Sequence, residues 1–184
     1  MLTETAVVNG SPETGAGKIL RRISTSCLVP VVVRNLSLCP QMIPVLAGWH
    51  HQCWQGIGTD IPLQSRISRL ERHLPDDLLP STWVSFENQK PCGSISLVSY
   101  GSHCNPLTNA WVANLYVCTD RRNQGIGTAL LEYVLSQAGV IGLERLYLFT
   151  AEHKSFYQRR RWQWCRSQYV QGQWVDILRH SLNE

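Results

Sequence analysis

The pentapeptide Gln-Gly-Ile-Gly-Thr occurs twice in this chain, at residues 55–59 and again at residues 124–128. Glycines let an anion approach the main chain, and the free N–H groups at a helix N-terminus can then bind phosphate. The second copy follows a predicted strand, has Arg121 and Arg122 just before it and opens an uninterrupted predicted helix. The sequence therefore predicts an anion-binding site at the second copy.

The first copy stands in a different context. It follows a predicted helix and precedes Asp60 and Pro62, so its glycines are explained by a helix end and a turn. The carboxylate of Asp60 would also repel an anion. Another glycine-rich stretch, residues 14–18, lacks the spacing and the preceding strand of a nucleotide-binding loop.

Length and composition indicate one folded domain. The chain has 184 residues, of which 43% are hydrophobic and 16% charged, and its net charge is +4. This basic excess favours an anionic ligand but is too small for a nucleic-acid-binding surface, so no nucleic-acid partner is predicted. The apolar stretch at residues 27–33 is far shorter than the roughly 20 residues that span a bilayer, so no membrane partner is predicted.

The seven cysteines are odd in number and contain no C-x-x-C pair. This pattern favours reduced thiols in a cytoplasmic protein over a disulfide framework. His50, His51 and Cys53 lie close together in the sequence, but no second set of ligands accompanies them, so no metal site is predicted.

The elements that must position the second copy alternate in type. Residues 1–25 have no hydrophobic period and are predicted to be a flexible leader, followed by one domain over residues 26–184. The patterns predict a strand at 28–35, helices at 40–54 and 63–74, and a hairpin at 81–101. From Ala110 they predict a strand, a helix at 124–139, a strand, a short helix and a closing strand pair. This order indicates an α/β (α+β) domain with helices packed on one central sheet.

Residues 122–127, Arg-Asn-Gln-Gly-Ile-Gly, resemble the R/Q-x-x-G-x-G/A acetyl-CoA loop of the GNAT superfamily of N-acetyltransferases. The strand at 145–150 and the segment Ser155–Gln163, where the family often has F-Y-x-x-x-G-W/F, extend the resemblance from about residue 27 to the C-terminus. It implies a GNAT-like mixed central sheet, mostly antiparallel with splayed central parallel strands and flanked by helices.

The resemblance also implies how coenzyme A would bind. The pyrophosphate would be held by the phosphate loop, which we define as Arg122, Asn123, Gln124, Gly125, Ile126, Gly127 and Thr128. Pantetheine would pair with the main chain beside Leu115, Tyr116 and Val117. The alternative explanation of the two glycines is ordinary helix packing.

The family tyrosine that protonates the leaving coenzyme A sulfur matches Tyr157, which could otherwise be a core residue. Arg161 replaces the family glycine that follows this tyrosine. The basic run Arg159–Arg161 could bind nucleic acid, but it is more typical of a solvated helix terminus. The general base is left open among His103, Asp60 and Asp176.

The acceptor is predicted to be a primary amine of a small molecule or of a peptide N-terminus. Arg66 and Arg69 lie three residues apart on one helix face and could bind an anionic acceptor, with His103 as a third candidate; the alternative is a solvated charged face. The stretches 65–70 and 146–157 are similar to parts of the enzymes that acetylate the acidic N-terminus of actin.

The sequence thus predicts a cytoplasmic N-acetyltransferase that uses acetyl-CoA as co-substrate, as a monomer or homodimer. The alternative is a non-catalytic acyl-CoA-binding regulatory module, because no Asp or Glu lies between Trp111 and Cys118 and because of Arg161.

Overall fold

The computed structural model describes residues 18–20, 31–53, 61–75, 79–100, 110–170 and 172–183. The strands are β1 (Lys18–Leu20), β2 (Val31–Asn35), β3 (Ser81–Glu87), β4 (Lys90–Ser99), β5 (Ala110–Val117), β6 (Arg145–Thr150), β7 (Gln163–Val170) and β8 (Gln173–Ser181). The helices are α1 (Ile43–Cys53), α2 (Leu63–Glu71), α3 (Ile126–Val140) and α4 (Lys154–Gln158). From β2 onward, the predicted order of strands and helices is confirmed.

The strands form one eight-stranded sheet in the order β1-β2-β3-β4-β5-β6-β8-β7. All neighbours are antiparallel except β5 and β6, which run parallel and share a single registered pair, Trp111 with Tyr147. Past this pair, β5 continues to Val117 alongside β4 but not alongside β6. The predicted mixed sheet with splayed central parallel strands is therefore confirmed.

Helices cover both faces of the sheet. On one face, α3 buries an apolar stripe at helical spacing against β3, β4 and β5; the stripe consists of Ile126, Leu130, Leu131, Val134 and Ala138. On the other face, α1 and α2 enclose a second core around Leu46, Leu70 and Val84. Leu63, the first residue of α2, is 42% exposed and lies one turn before the residues of this helix that pack into the second core.

A short strand lies within the segment predicted to be a flexible leader. The backbone of Lys18–Leu20 pairs antiparallel with Val31–Val33 of β2. Residues 1–17 and 21–25 lie outside the described residues, so the prediction of a leader is otherwise untested.

Arg161 adopts the left-handed conformation that the family glycine would favour. Its φ is +64°, just after α4. A non-glycine residue in this conformation costs roughly 1 kcal/mol, so Arg161→Gly should raise the free energy of unfolding by about 0.5–1 kcal/mol in urea titrations. Arg159→Gly is the matched control: Arg159 is right-handed, with φ of −63°, so the same change there should destabilise the fold. Equal losses at both positions would contradict this account.

Candidate active site

The second QGIGT copy connects β5 to α3, as predicted. After Val117, the chain makes a 3-10 turn over Thr119–Arg121 and enters α3 at Ile126. Asn123 and Gly125 have positive φ angles of 58° and 81°. Two left-handed residues so close together turn the chain sharply into the helix, and glycine meets this requirement without a steric penalty.

The N-terminus of α3 has no side-chain cap. Gly125 occupies the N-cap position, and no acidic residue stands in the first turn. The Ala129 N–H donates to the Gly125 carbonyl (3.0 Å), whereas the N–H groups of residues 126–128 precede the first helical acceptor. These free donors and the helix dipole together favour an anion.

Arg160, two residues after the end of α4, connects α4 to this helix terminus. Its guanidinium donates from Nε (3.1 Å) and Nη2 (2.6 Å) to the Thr128 hydroxyl and from Nη1 (2.7 Å) to the Phe156 carbonyl. A Cβ on Gly127 would lie 3.6 Å from Val117 Cγ2 and 3.8 Å from Phe156 Cζ. The ends of β5, α3 and α4 therefore meet at the phosphate loop.

Within the described part of the chain, Arg122 of the phosphate loop and Arg160 beside the loop form no ion pair with a carboxylate. Arg122 donates from Nε to the Val117 carbonyl (3.1 Å), and Arg160 makes the contacts given above. Arg121, by contrast, is bonded to Glu87 (2.7 Å). The loop thus combines free N–H groups with positive charge that no described carboxylate pairs directly, which suits a diphosphate.

The interpretation of Arg159–Arg161 as a solvated helix terminus is wrong for Arg160. Arg159 and Arg161 are exposed, but Arg160 is half-buried, and its guanidinium also lies 3.8 Å from the centroid of the Phe156 ring. No local pattern distinguishes Arg160 from its neighbours, because its partner Thr128 lies 32 residues earlier.

β5 carries a bulge beside the splay. Ser94 pairs with Tyr116 and Ser96 with Ala113, so Asn114 and Leu115 lie opposite one residue of β4. Asn114 has a positive φ of 54°. The bulge therefore begins one residue before the strand segment, residues 115–117, that is predicted to pair with pantetheine, and it includes the first residue of that segment.

The opposite faces of this segment have different neighbours. Leu115 and Val117 pack against the core beneath α3, whereas Tyr116 stacks on Trp49 of α1 with ring centroids 4.9 Å apart. The splay therefore has an apolar wall on one side and an aromatic wall on the other. Burial raises the pKa of the Tyr116 phenol, which keeps it neutral.

Tyr157 lies in α4 and is 9% exposed. Its ring makes edge contacts with Phe156 (5.0 Å between centroids) and Trp162 (6.0 Å). Burial raises its pKa to about 12, although the nearby Arg160 lowers it. The phenol is thus protonated at neutral pH and available as a proton donor.

The two arginines predicted for the acceptor have different surroundings. Arg66 is half-buried, and after burial it is the next cause that lowers the pKa of His50. Arg69 is exposed and partly opposes the burial that raises the pKa of Tyr100. The two arginines lie on one helix, α2, but act on different titratable groups.

Of the candidate bases, Asp176 is the one within the described residues. Its carboxylate accepts hydrogen bonds from Ser167 (2.7 Å) and Trp164 (2.7 Å) and forms an ion pair with Lys154 (3.3 Å). These contacts, that with Ser167 foremost, lower its pKa and make it a weak base. His103, Asp60 and the first QGIGT copy lie outside the described residues.

The described residues contain neither a group of metal-ligating side chains nor a helix that could span a membrane. Among the described residues, no three His, Cys, Asp or Glu side chains are grouped as metal ligands. No helix in the same ranges is both long and apolar enough to cross a membrane.

Residues 80–160 match the family model described as the acetyltransferase (GNAT) domain. The fold is similar to that of an N-acetyltransferase from Staphylococcus aureus Mu50, with 16% identity, a TM-score of 0.68 and coverage of 83% of this chain and 98% of that one. It is similar to a ribosomal-protein-alanine N-acetyltransferase from Brucella melitensis, with 15% identity, a TM-score of 0.67 and coverage of 81% and 98%. YncA from Salmonella typhimurium, solved with its cofactor acetyl-CoA, shares 14% identity, with a TM-score of 0.67 and coverage of 84% and 95%.

The matched residues contain the features that build this site. They run from the start of the β3–β4 hairpin through the bulged strand and the phosphate loop to α4, and so include both Gly125 and Tyr157. Residues 80–160 are thus similar to the GNAT acetyltransferase domain, and the fold around them is similar to that of the solved acetyltransferases.

Proposed function

We propose that this protein transfers the acetyl group of acetyl-CoA to a primary amine of a small molecule or of a peptide N-terminus. The observation that carries the proposal is the N-terminus of α3. It has no side-chain cap, begins with a left-handed glycine, and lies beside Arg122 and Arg160, which lack described carboxylate partners.

The site fits coenzyme A in two places. The phosphate loop supplies main-chain N–H groups to the pyrophosphate, with Arg122 and Arg160 adding positive charge. The edge of β5 that does not pair with β6 supplies main-chain groups to the pantetheine amides. The occurrence of acetyl-CoA in the similar fold of YncA supports this assignment.

The chemistry requires one bond to form and one to break. The neutral amine attacks the thioester carbonyl carbon, and the carbonyl oxygen gains charge beside main-chain N–H groups of residues 115–117. The carbon–sulfur bond then breaks, the thiolate takes a proton from Tyr157, the amine nitrogen releases a proton to solvent, and the Tyr157 phenolate regains a proton from solvent. The amide and the free thiol leave the site.

A cluster of aromatic rings on β5 and β6 and two arginines of α2 indicate which kind of acceptor the site would bind. Trp111 lies 5.4 Å from Tyr147 and 6.4 Å from Phe149 between ring centroids, at the point where β5 and β6 separate. Arg66 and Arg69 stand on the helix packed against α1, on the same side of the sheet. This combination suits an amine attached to an apolar group and an anionic group, as in a peptide N-terminus with an acidic residue.

The first experiment is a calorimetric titration of acetyl-CoA, followed by a thiol-release assay on small amines and on peptides with neutral, acidic and acetylated N-termini. Binding with release on free N-termini supports the proposal. Binding without release on any amine would favour the non-catalytic regulatory module instead. Cytoplasmic localisation and a monomeric or homodimeric state stay predictions.

Tyr157→Phe should lower kcat by roughly 10²-fold, the usual contribution of a general acid, and leave the Kd for acetyl-CoA unchanged. The phenylalanine ring keeps the edge contacts with Phe156 and Trp162, so only the proton is lost. Tyr133→Phe is the matched control, because this α3 tyrosine also has a pKa raised by burial. A Tyr157→Phe enzyme with the wild-type kcat would remove the assigned role.

A further inference from the structure

A chain of buried polar side chains reaches the β5 bulge from the α1 and α2 side of the sheet. β4 contributes alternating serines, Ser94 and Ser96, both with no exposed surface, and both bond to Asn114. Buried hydroxyls in an otherwise apolar layer are costly unless each is paired, so this arrangement holds one particular backbone geometry.

The first branch fixes the main-chain carbonyl of the bulge. Ser94 Oγ donates to the Asn114 carbonyl oxygen (3.2 Å). Since its proton is used there, Ser94 Oγ accepts from His50 Nε2 (3.0 Å), a residue of α1 that is 4% exposed. His50 is thus assigned as the neutral tautomer with the proton on Nε2.

The second branch fixes the side-chain amide of the same residue. Asn114 Nδ2 donates to Ser96 Oγ (3.1 Å), and Ser96 Oγ lies 2.8 Å from Thr82 Oγ1. Thr82 Oγ1 in turn lies 2.7 Å from Nδ1 of His73, which is 8% exposed. One consistent direction runs from Asn114 through Ser96 and Thr82 to an unprotonated His73 Nδ1.

We infer that His50 and His73 are positioning residues that act through Ser94 and Ser96 to set the main-chain geometry of the β5 bulge. This inference rests on the proposed function, in which residues 115–117 hold the thioester. The main-chain carbonyl and the side-chain NH₂ group of Asn114 are both bonded to serines of β4, and its left-handed φ of 54° is thereby maintained. No residue of the phosphate loop belongs to this network. Substitutions in the network should therefore lower turnover more than they lower the affinity for acetyl-CoA.

Ser94→Ala and Ser96→Ala should each lower kcat about tenfold, less than the roughly 10²-fold that a full 1 Å misplacement can cost. The Kd for acetyl-CoA should change less than kcat does, because the phosphate loop is untouched and only the pantetheine contacts of residues 115–117 depend on the bulge. Ser85→Ala is the matched control: this β3 serine also has no exposed surface, but its hydroxyl bonds to the Cys92 thiol (3.3 Å). It should leave kcat unchanged.

A conservative substitution at His50 distinguishes a positioning role of its N–H group from a purely packing role of its ring. His50→Gln retains an N–H donor near the Nε2 position and should recover most of the turnover that His50→Leu loses. Equal losses in the two variants, or a Ser94→Ala enzyme with the kcat of Ser85→Ala, would overturn the inference. So would equal losses of kcat and coenzyme affinity.

A spectroscopic measurement distinguishes failure of this inference from failure of the proposed function. Amide ¹H–¹⁵N resonances of Leu115 and Tyr116 should shift in Ser94→Ala and Ser96→Ala but not in Ser85→Ala. If wild type acetylates no amine yet these shifts occur, the proposed function fails and the network is supported. If wild type turns over and the resonances do not move, the network is overturned and the function stands.

Discussion

Gly125→Glu should weaken acetyl-CoA binding by about 10³-fold. The new carboxylate would stand at the N-cap of α3, beside the free N–H groups that bind the pyrophosphate. Two like charges about 4 Å apart repel by about 4 kcal/mol at a protein surface, which corresponds to this loss of affinity. Isothermal titration calorimetry of acetyl-CoA into the folded variant measures it.

Gly142 provides a matched control at the other end of the same helix. Gly125 and Gly142 have positive φ angles of 81° and 74°, and a Cβ at either would meet nothing within 4 Å. Gly142→Glu therefore introduces comparable backbone strain and the same charge, but far from the phosphate loop, and should retain the wild-type Kd. Gly125→Lys keeps the strain and reverses the charge, so it should bind far better than Gly125→Glu. Wild-type affinity in Gly125→Glu would refute the phosphate-loop assignment.

Acidification from pH 7 to pH 4 should destabilise the fold by about 3 kcal/mol for each of two buried histidines. Burial foremost, then Arg66 and His73, lowers the pKa of His50 to about 4; burial and then Arg72 lower that of His73 to about 4. An unfolded histidine titrates near 6.5, so between about pH 6.5 and pH 4 the unfolded chain binds protons that the folded chain does not. The free energy of unfolding must therefore fall as the pH falls through this window.

Urea unfolding at a series of pH values between 7 and 4 measures this loss. His73→Asn removes one of the two titrating groups and should remove about half of the histidine contribution. His153→Gln, which replaces an exposed histidine, is the control for the substitution itself. A His73→Asn profile parallel to that of wild type would show that this histidine is not the group responsible.

Local patterns were enough to predict the elements that carry the coenzyme site. The stripe from Ile126 to Ala138 predicts α3 because residues three and four apart share a helix face, and that face is buried. The left-handed turn at Gly125 suits the type of that residue, whereas the left-handed conformation of Arg161 was indicated only by the family resemblance, in which glycine stands at this position. The splay of β5 from β6 was implied by the family resemblance, not by any local pattern.

The residues around Asn114 illustrate what sequence reasoning missed. Alternation along β4 places Ser94 and Ser96 on one face, which was a visible signal, but their partners come from three other elements. His50 is 44 residues before Ser94, and Asn114 is 18 residues after Ser96. The bulge itself arises from a register shift between strands, which neither strand encodes alone.

The sequence by itself determined the element order, the phosphate loop and the position of Tyr157, because each depends on periodicity or on a short motif read over a few neighbouring residues. Tertiary structure decided which cations stand at the loop, how the Asn114 bulge is held and which histidines stay neutral. Those properties depend on burial and on distances between residues far apart in the chain, and only packing of the sheet against its helices sets them.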